Sequence, residues 1–433
     1  MADEQSDPTP EAEQAPTAGF RDDSTDLREQ SLGERVLGSL LDRAHLLPPR
    51  LVGPLVAQEL ATIGCRRVSI HLQDLDQQSL RPLRGTGLHA EVLPIDESAA
   101  GEAFRTDQPV ETADDDGGTR LHLPMLDGSD RVGVLSITLD EVNDHDRRLA
   151  QRLAGLVADL VVTKSAYTDT FTRVRTTQPM SLAAHLQWNT LPPLTMTTPE
   201  VDLSGILEPA YEVGGDCFDY AYDDHVLHLA VFDAMGHGLE AATMSTVVVA
   251  AYRHGRLGDV ELPQLCRDLD EVMATSFPGR FATAQVGRLD TRSGVLSYVN
   301  AGHPAAFLVR KARVVQELPG PTTRPLGLGD LDPHVETVQL EPGDRVLFFT
   351  DGVVEERLDD GEQFGEERLR ELIEQTTAAE LPAAETIRRL SHALEDARRG
   401  RTSDDASLLV VEWKQPPHDD ELSPFIPEAT PTD

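Results

Sequence analysis

The chain has 433 residues, a length that suggests about two or three domains rather than one. It carries 75 Asp and Glu against 38 Lys and Arg, and the formal net charge of −37 argues against nucleic acid or an anionic membrane as a partner. Its longest apolar runs, Leu153–Val162 and Met244–Tyr252, are each about half as long as a membrane span. No signal peptide is visible in the acidic segment Met1–Asp7, so we expect a cytoplasmic protein.

The N-terminal part combines a polar segment with a small mixed domain. Residues 1–30 are rich in Asp, Glu, Pro and Thr and are predicted to be disordered, as is the tail, 415–433. Between residues 31 and 163, apolar residues at helical spacing flank strand-like alternation at Arg67–Leu72 and Gly133–Leu139. This order predicts an α+β domain of the size of a sensor.

Residues 164–193 are predicted to form a helical linker. Leu153, Leu160, Tyr167 and Val174 keep a seven-residue period, which is typical of a short coiled-coil seam. Dimerisation through this helix and packing against a neighbouring domain remain equal alternatives. A second helix, Leu182–Leu191, is expected to stop at the two prolines that follow.

Strand patterns dominate residues 194–414, with a few helices between them. This arrangement predicts two packed antiparallel sheets covered by helices. The predicted strands are Val226–Phe232, Ala282–Leu289, Gly294–Asn300, Ala306–Arg310, Val335–Leu340, Arg345–Thr350 and Ser407–Glu412.

Four short acidic segments of this C-terminal half share one design, an Asp beside small residues and, in most of them, at the end of an apolar strand. They contain Asp216, Asp233, Asp351 and the pair Asp404-Asp405. Each segment alone would be read as a turn, and Asp-Gly is a common hairpin turn. As a set they indicate converging carboxylates, which repel one another unless cations neutralise them. Oxygen ligands without a Cys or His cluster favour Mg²⁺ or Mn²⁺ over zinc.

Motifs of this half occur in an order that resembles one family. From Leu182 to Trp413 the chain is similar to the SpoIIE/RsbU-type branch of the PPM metal-dependent serine/threonine phosphatases. The segments that carry the resemblance are Leu182–Gln187 with Leu191-Pro192-Pro193, Tyr211–Asp219, Asp233–Gly238 with Ala241-Ala242, Phe281-Ala282-Thr283, Asn300–Pro304, Pro325-Leu326-Gly327, Pro342-Gly343-Asp344, Thr350–Glu355 and Asp404–Ser407.

The resemblance implies an α-β-β-α sandwich with its metals at one end of the two sheets. It makes Asp216, Asp233 and Asp351 the catalytic acids. The implied metal ligands are these three, Asp404 and the backbone carbonyl of Ala234, holding two Mn²⁺ or Mg²⁺ ions and leaving a third ion open. Asp405 is expected to order its loop instead.

Other positions are less directly transferred. His237 and His303 are given mainly structural roles in turns, with acid–base work as the alternative. Phe232 stands where many relatives have Gly, and Cys217 where an aromatic is usual. No motif matches the arginine that binds the substrate phosphate in eukaryotic PPM enzymes.

The N-terminal domain carries a softer resemblance. Ser98–Val110, Leu123-Pro124-Met125, Gly133-Val134-Leu135 and the helix from Asp146 are similar to a GAF domain. Domains of that family bind varied small molecules, so we assign this one no ligand. The three cysteines match no C-x-x-C spacing and predict neither a disulfide framework nor a zinc knuckle.

Together these features predict a metal-dependent phosphoprotein phosphatase controlled by its GAF-like domain. The resemblance implies that its substrate is a phosphorylated STAS-domain anti-anti-sigma protein, encoded separately. Two alternatives stay open: a signalling scaffold with little catalysis, and a phosphatase for a small phosphoester.

Overall fold

The structure is a computed structural model that describes residues 32–44, 46–128, 130–211, 214–320, 323–356, 362–398 and 405–414. The segments predicted to be disordered, 1–30 and 415–433, lie outside the described residues. None of the helices in the described ranges is long and apolar enough to cross a bilayer.

The first domain is one antiparallel sheet with helices on both faces. Its strand order is β3-β2-β1-β6-β5-β4. The elements are α1 (Leu32–Ala44), α2 (Val52–Ala61), β1 (Arg67–Gln73), β2 (Ser79–Pro82), β3 (Leu93–Pro94), α3 (Ala99–Thr106), β4 (Val110–Ala113), β5 (Thr119–Leu126), β6 (Arg131–Leu139) and α4 (Asp144–Ser165). Side chains of α1, α2 and α4 form the main core with one face of the sheet, and Phe104 of α3 packs in a smaller cluster with Leu80 and Val134. Helices flanking short strands are present as predicted.

The expected seven-residue seam is wrong beyond Leu160. Helix α4 ends at Ser165, and a separate short helix, α5 (Thr170–Arg175), follows. Tyr167 therefore lies in the break between them, and Leu153 is fully buried in the core of its own domain. A continuous helix through Tyr167 and Val174 does not exist for a second chain to pair with.

The second domain is a four-layer sandwich, as the sequence predicted. A five-stranded sheet has the order β15-β12-β11-β10-β9, and a six-stranded sheet has the order β14-β13-β16-β17-β8-β7. Its strands are β7 (Thr195–Thr197), β8 (Val201–Glu208), β9 (Asp216–Asp223), β10 (Val226–Ala234), β11 (Ala282–Asp290), β12 (Val295–Ala301), β13 (Phe307–Arg310), β14 (Arg313–Glu317), β15 (Glu336–Gln339), β16 (Arg345–Phe349) and β17 (Ala406–Trp413). Residues such as Phe218, Tyr298 and Phe348 fill the core between the two sheets.

Helices form the two outer layers of this sandwich. They are α6 (Leu182–Thr190), α7 (Gly238–Leu257), α8 (Leu262–Ser276), the short α9 (Asp351–Val354), α10 (Gly365–Ala378) and α11 (Ala383–Arg398). Apolar residues of α7 and α8 cover the five-stranded sheet, and those of α10 and α11 cover the six-stranded sheet. Burial of these faces on both sides excludes water from both sheets.

Only the first half of the predicted linker connects the two domains. Helix α6 packs on α7, and the Trp188 indole N–H donates to the carbonyl of Ala210 at 2.7 Å. This helix therefore belongs to the sandwich. Its N-cap is Ser181, whose hydroxyl accepts from Ala184 N at 3.0 Å, and the helix ends before Pro192, as predicted.

The two domains touch through a small apolar cluster and several polar contacts. Leu75 of the first domain packs with Ala210 and Tyr211 of the second. On another side, the Arg388 guanidinium of α11 lies 2.6 Å from the Asp96 carboxylate. The two domains joined by the linker therefore also contact each other directly.

Candidate metal centre

Two of the predicted ligands are cross-strand partners. Asp216 is the first residue of β9, Asp233 lies near the end of β10, and the antiparallel register places them directly opposite each other. Opposite residues of an antiparallel pair project to the same face with Cβ atoms about 5 Å apart. The hairpin therefore brings both carboxylates to one end of the five-stranded sheet.

The other sheet contributes residues from the turn after β16. Thr350 Oγ1 donates a 2.5 Å hydrogen bond to Asp216 Oδ2 and accepts one of 2.9 Å from Ser407 N. Asp351 follows as the first residue of α9, and its charge acts on Asp216. Thr350 therefore ties three strands from both sheets together beside the carboxylates.

Asp405 fixes the loop before β9. Its Oδ2 accepts hydrogen bonds of 2.5 Å from both Gly214 N and Gly215 N, which is the ordering role expected from the sequence. A Cβ built at Gly215 would overlap the carbonyl oxygen of Ala234. Gly215 is needed because the backbones of this loop and of β10 approach too closely for any side chain, and at Gly214 a Cβ would lie 2.5 Å from the Asp405 carboxylate oxygen.

Side chains of α6 and α7 donate hydrogen bonds to the backbone at the start of β9. Gln187 Nε2 of α6 donates to the Asp216 carbonyl oxygen at 2.8 Å. The Ser245 hydroxyl of α7 donates to the Gly215 carbonyl oxygen. The first contact pairs the Asp216 carbonyl oxygen, and the second adds a donor to the Gly215 carbonyl oxygen, which also accepts from Ala234 N at 3.2 Å. Together they make the position of Asp216 depend on both helices.

The electrostatics of Asp216 are dominated by burial and by other acids. Its side chain is buried, and burial raises its pKa well above the ordinary value. The carboxylates of Asp233, Asp405 and Asp351 raise this pKa further, while the Thr350 hydrogen bond lowers it. Four carboxylates this close repel one another, so the site favours a bound cation. All the side-chain donors are oxygens, which suits Mg²⁺ or Mn²⁺.

The side chains alone do not form a complete ligand set. Within the described ranges, no group of three or more His, Cys, Asp or Glu side chains has the geometry of a metal site. Asp404, the fourth predicted acidic ligand, lies outside the described residues. The chemistry of the donors thus fits divalent cations.

The two histidines occupy different environments. His303 is buried, its Nδ1 lies 2.8 Å from the Thr283 hydroxyl, and its backbone N–H donates to Asn300 Oδ1 at 2.8 Å. Burial lowers its pKa to about 3, so it is neutral near pH 7 and holds the turn after β12. His237 is exposed immediately before α7, and its side chain does not cap that helix.

The two unusual positions of the sequence fill the core. Phe232 is fully buried and meets Tyr252 of α7 edge to face, with ring centroids 6.0 Å apart. Cys217 is also buried, and burial raises the pKa of its thiol well above the usual range. Both side chains therefore help to seat α7 on the sheet.

Sequence reasoning assigned no role to Thr350, Gln187 or Ser245, although the first two lie inside quoted motifs. Thr350 directly precedes a predicted ligand, which was the one available signal. Nothing in the spacing of Gln187 or Ser245 could indicate that their side chains reach backbone carbonyls of another element.

Comparison with known proteins identifies relatives of the C-terminal domain. Residues 223–414 match the family model of stage II sporulation protein E (SpoIIE). This part of the chain is therefore similar to the SpoIIE family.

Two relatives come from Bacillus subtilis (strain 168). The chain is 25% identical to phosphoserine phosphatase RsbP over 190 residues, which cover 42% of this chain and 47% of that protein. It is 25% identical to phosphoserine phosphatase RsbU over 241 residues, 54% of this chain and 70% of that protein. The chain thus spans about half the length of the first relative. Among solved structures, the SiaA-PP2C domain of Pseudomonas aeruginosa has a TM-score of 0.44 and 22% identity, covering 49% of this chain and 85% of that one.

Proposed function

We propose that the chain is a protein serine/threonine phosphatase that depends on Mn²⁺ or Mg²⁺. In this proposal the metal ligands are Asp216, Asp233, Asp351, Asp404 and the backbone carbonyl of Ala234. Divalent cations, when bound there, supply the Lewis acidity that activates water and balances charge on the phosphoryl group.

The cross-strand pair of Asp216 and Asp233 is the observation that carries the proposal. The two carboxylates face each other at a sheet end, and three carboxylates influence the buried Asp216. Acids gathered at such a position repel one another and destabilise the fold unless a proton or a cation neutralises them. Carboxylates with perturbed pKa values cluster at functional sites. The match of residues 223–414 to the SpoIIE family and the two relatives named phosphoserine phosphatases support the same reading.

The chain's own residues would position this cluster rather than react. Thr350 holds one oxygen of Asp216 and leaves the other for ligation. Asp405 keeps the Gly214-Gly215 loop against the end of β10, and so fixes the distance between the two ligand-bearing strands. Rigid support of this kind is what a site needs to hold its ligands in a productive geometry.

The proposed substrate is a phosphorylated STAS-domain anti-anti-sigma protein in the cytoplasm. Two relatives are named phosphoserine phosphatases, which supports a phosphorylated serine as the group that is hydrolysed. The GAF-like domain would control the reaction, because it contacts the sandwich directly through Leu75 and Asp96.

The decisive experiment measures phosphate release from such a phosphoprotein by the full chain, with Mn²⁺ or with EDTA. We expect release only with metal, and a loss of several orders of magnitude in Asp233→Asn, because the cations and the activated water depend on that residue. Asp223→Asn, at the opposite and exposed end of β9, is the matched control and should keep full activity.

The same assay separates the alternatives. A chain that hydrolyses neither the phosphoprotein nor p-nitrophenyl phosphate with Mn²⁺ present would be a scaffold. Turnover of nucleotides without turnover of phosphoproteins would make it a small-molecule phosphatase.

A further inference from the structure

A cavity of about 300 Å³ lies between the first domain and the linker helix α5, and none of the candidate metal ligands lines it. Arg50, Arg81, Arg84 and Arg173 line it, and we call it the arginine cavity. Among the described residues that line it there is no Asp or Glu. Acids outnumber bases about two to one in this chain, so a cavity wall with four bases and no acid is unusual.

These arginines are poorly neutralised. The side chains of Arg50, Arg81 and Arg84 have no hydrogen bond or ion pair with any residue that the structure describes. Arg173 pairs with Asp169 at 3.2 Å, but both side chains are largely exposed, and such pairs contribute little. Guanidinium groups around one cavity repel one another, and an anion between them would remove that repulsion.

The rest of the wall is apolar and firmly built. Pro54, Leu83 and Phe171 line it, and Leu83 and Phe171 are buried. A Cβ built at Gly85 would lie 2.7 Å from Pro54 Cγ, so the loop after β2 packs closely on the start of α2. The volume lies at the small end of the range for ligand pockets. Such a wall suits a small molecule with an apolar body and a phosphate group, since guanidinium forks match phosphate geometry.

The cavity lies beside the linker that leads into the second domain. Phe171 and Arg173 belong to α5, whose last residue, Arg175, donates from Nε to the Gln73 carbonyl at 3.1 Å. A ligand held there would contact the linker shortly before α6, the helix that supports Asp216 through Gln187. We propose that the arginine cavity is a binding site for a small organic phosphate, held between the first domain and the linker.

The test is calorimetric titration of the full chain with phenyl phosphate and with inorganic pyrophosphate. Asp233→Asn protein in EDTA is used throughout, so that the phosphatase site neither turns over nor binds the probes through metal. This design makes the result independent of the proposed phosphatase activity. We expect saturable binding that weakens with added salt, because the contact is between charges.

The variant is Arg50→Gln/Arg81→Gln/Arg84→Gln, and its affinity should fall roughly tenfold or more, since it removes three guanidinium groups that can donate charge-assisted hydrogen bonds to a phosphate. The control is Arg148→Gln/Arg152→Gln, two exposed arginines of α4, and it should bind as the parent protein does. Should the triple variant not fold, single Arg81→Gln and Arg84→Gln variants must each weaken binding. Absence of saturable binding of both probes, or equal binding by the triple variant, overturns the proposal.

Discussion

Thr350 donates to Asp216 at 2.5 Å although the two residues come from different sheets. The same hydroxyl accepts from Ser407 N, so it joins the turn after β16 to both β9 and β17. A single hydroxyl therefore fixes the buried acid of the candidate centre and the start of the last described strand.

Thr350→Val should lower both stability and phosphatase activity. It leaves Asp216 without its donor and the Ser407 N–H without its acceptor, which costs about 1–3 kcal/mol for buried groups. Urea unfolding and phosphate release measure the two effects. Thr350→Ser keeps the hydroxyl and should restore most of both; a serine variant as impaired as the valine variant would contradict this role.

Gly352→Ala should disrupt the centre without changing any charge. A Cβ built there would overlap the backbone carbonyl oxygen of Asp405, which cannot move without releasing Gly214 and Gly215. Forcing a methyl group into such a contact costs about 1–3 kcal/mol and shifts the backbone. Manganese-dependent activity should fall at least tenfold. The control is Gly320→Ala, where a Cβ meets nothing within 4 Å, and it should behave as wild type.

Asp219→Asn should loosen α7 from β9. The Asp219 carboxylate is buried and pairs with Arg253 at 2.6 Å and Arg256 at 2.9 Å, both on α7. Removing the charge from such a pair costs about 3 kcal/mol. Denaturant unfolding of the variant should show this loss, whereas Asp223→Asn, exposed on the same strand, should show almost none. Equal stabilities would mean that the pairs contribute nothing.

Acid should destabilise the sandwich partly through His303. Its pKa is lowered to about 3 by burial, against an ordinary 6.5, so below pH 6.5 the unfolded chain binds a proton that the folded chain refuses. Its contribution to stability is therefore complete above pH 6.5 and declines towards pH 3, by about 1.4 kcal/mol per pH unit.

His303→Gln should flatten that slope by the same amount. Trp188 and Trp413 both lie in the sandwich, so their fluorescence during urea unfolding at pH 4 to 6 reports on this domain alone. A variant with the wild-type slope would show that the histidine is protonated in the folded state.

Arg388 should matter more to the sandwich than to the contact between domains. Its guanidinium is buried, bonds Glu385 at 2.8 Å within α11 and reaches the half-exposed Asp96 of the first domain at 2.6 Å. Asp96→Asn should cost less than about 1 kcal/mol. Arg388→Met should cost more, up to about 3 kcal/mol, because it removes the buried one of the two arginines that pair with Glu385 and leaves only the more exposed Arg389. A double-mutant cycle in thermal unfolding isolates the part that joins the domains.

Several strands of the sandwich could be predicted from the sequence within two residues. β10, β11 and β17 are examples, since their side chains are buried on both faces. β8 was missed because Gly205 interrupts its pattern. The structure explains that glycine: a Cβ there would overlap the Phe218 ring in the core between the sheets. The predicted seven-residue seam was wrong because large side chains on both sides of a helix end can keep a regular spacing by chance.

The members of the candidate centre could be named from the sequence, but their arrangement could not. The cross-strand pairing of Asp216 with Asp233 depends on a hairpin register, and the Thr350 contact depends on how two sheets pack. The register is set by the geometry of the turn, which the spacing of the motifs does not specify, and the packing of the two sheets is a tertiary fact that no local pattern encodes.

The strand order of the six-stranded sheet has a consequence for synthesis. β17 lies between β16 and β8, in the interior of the sheet, yet it is formed by residues 406–413. On the ribosome, β8 must therefore wait with one edge unpaired while some two hundred later residues are translated. Until then the nascent domain exposes an unpaired strand edge that can pair with other chains and aggregate. A chain that ends before residue 406 would lack β17 and could not complete this sheet.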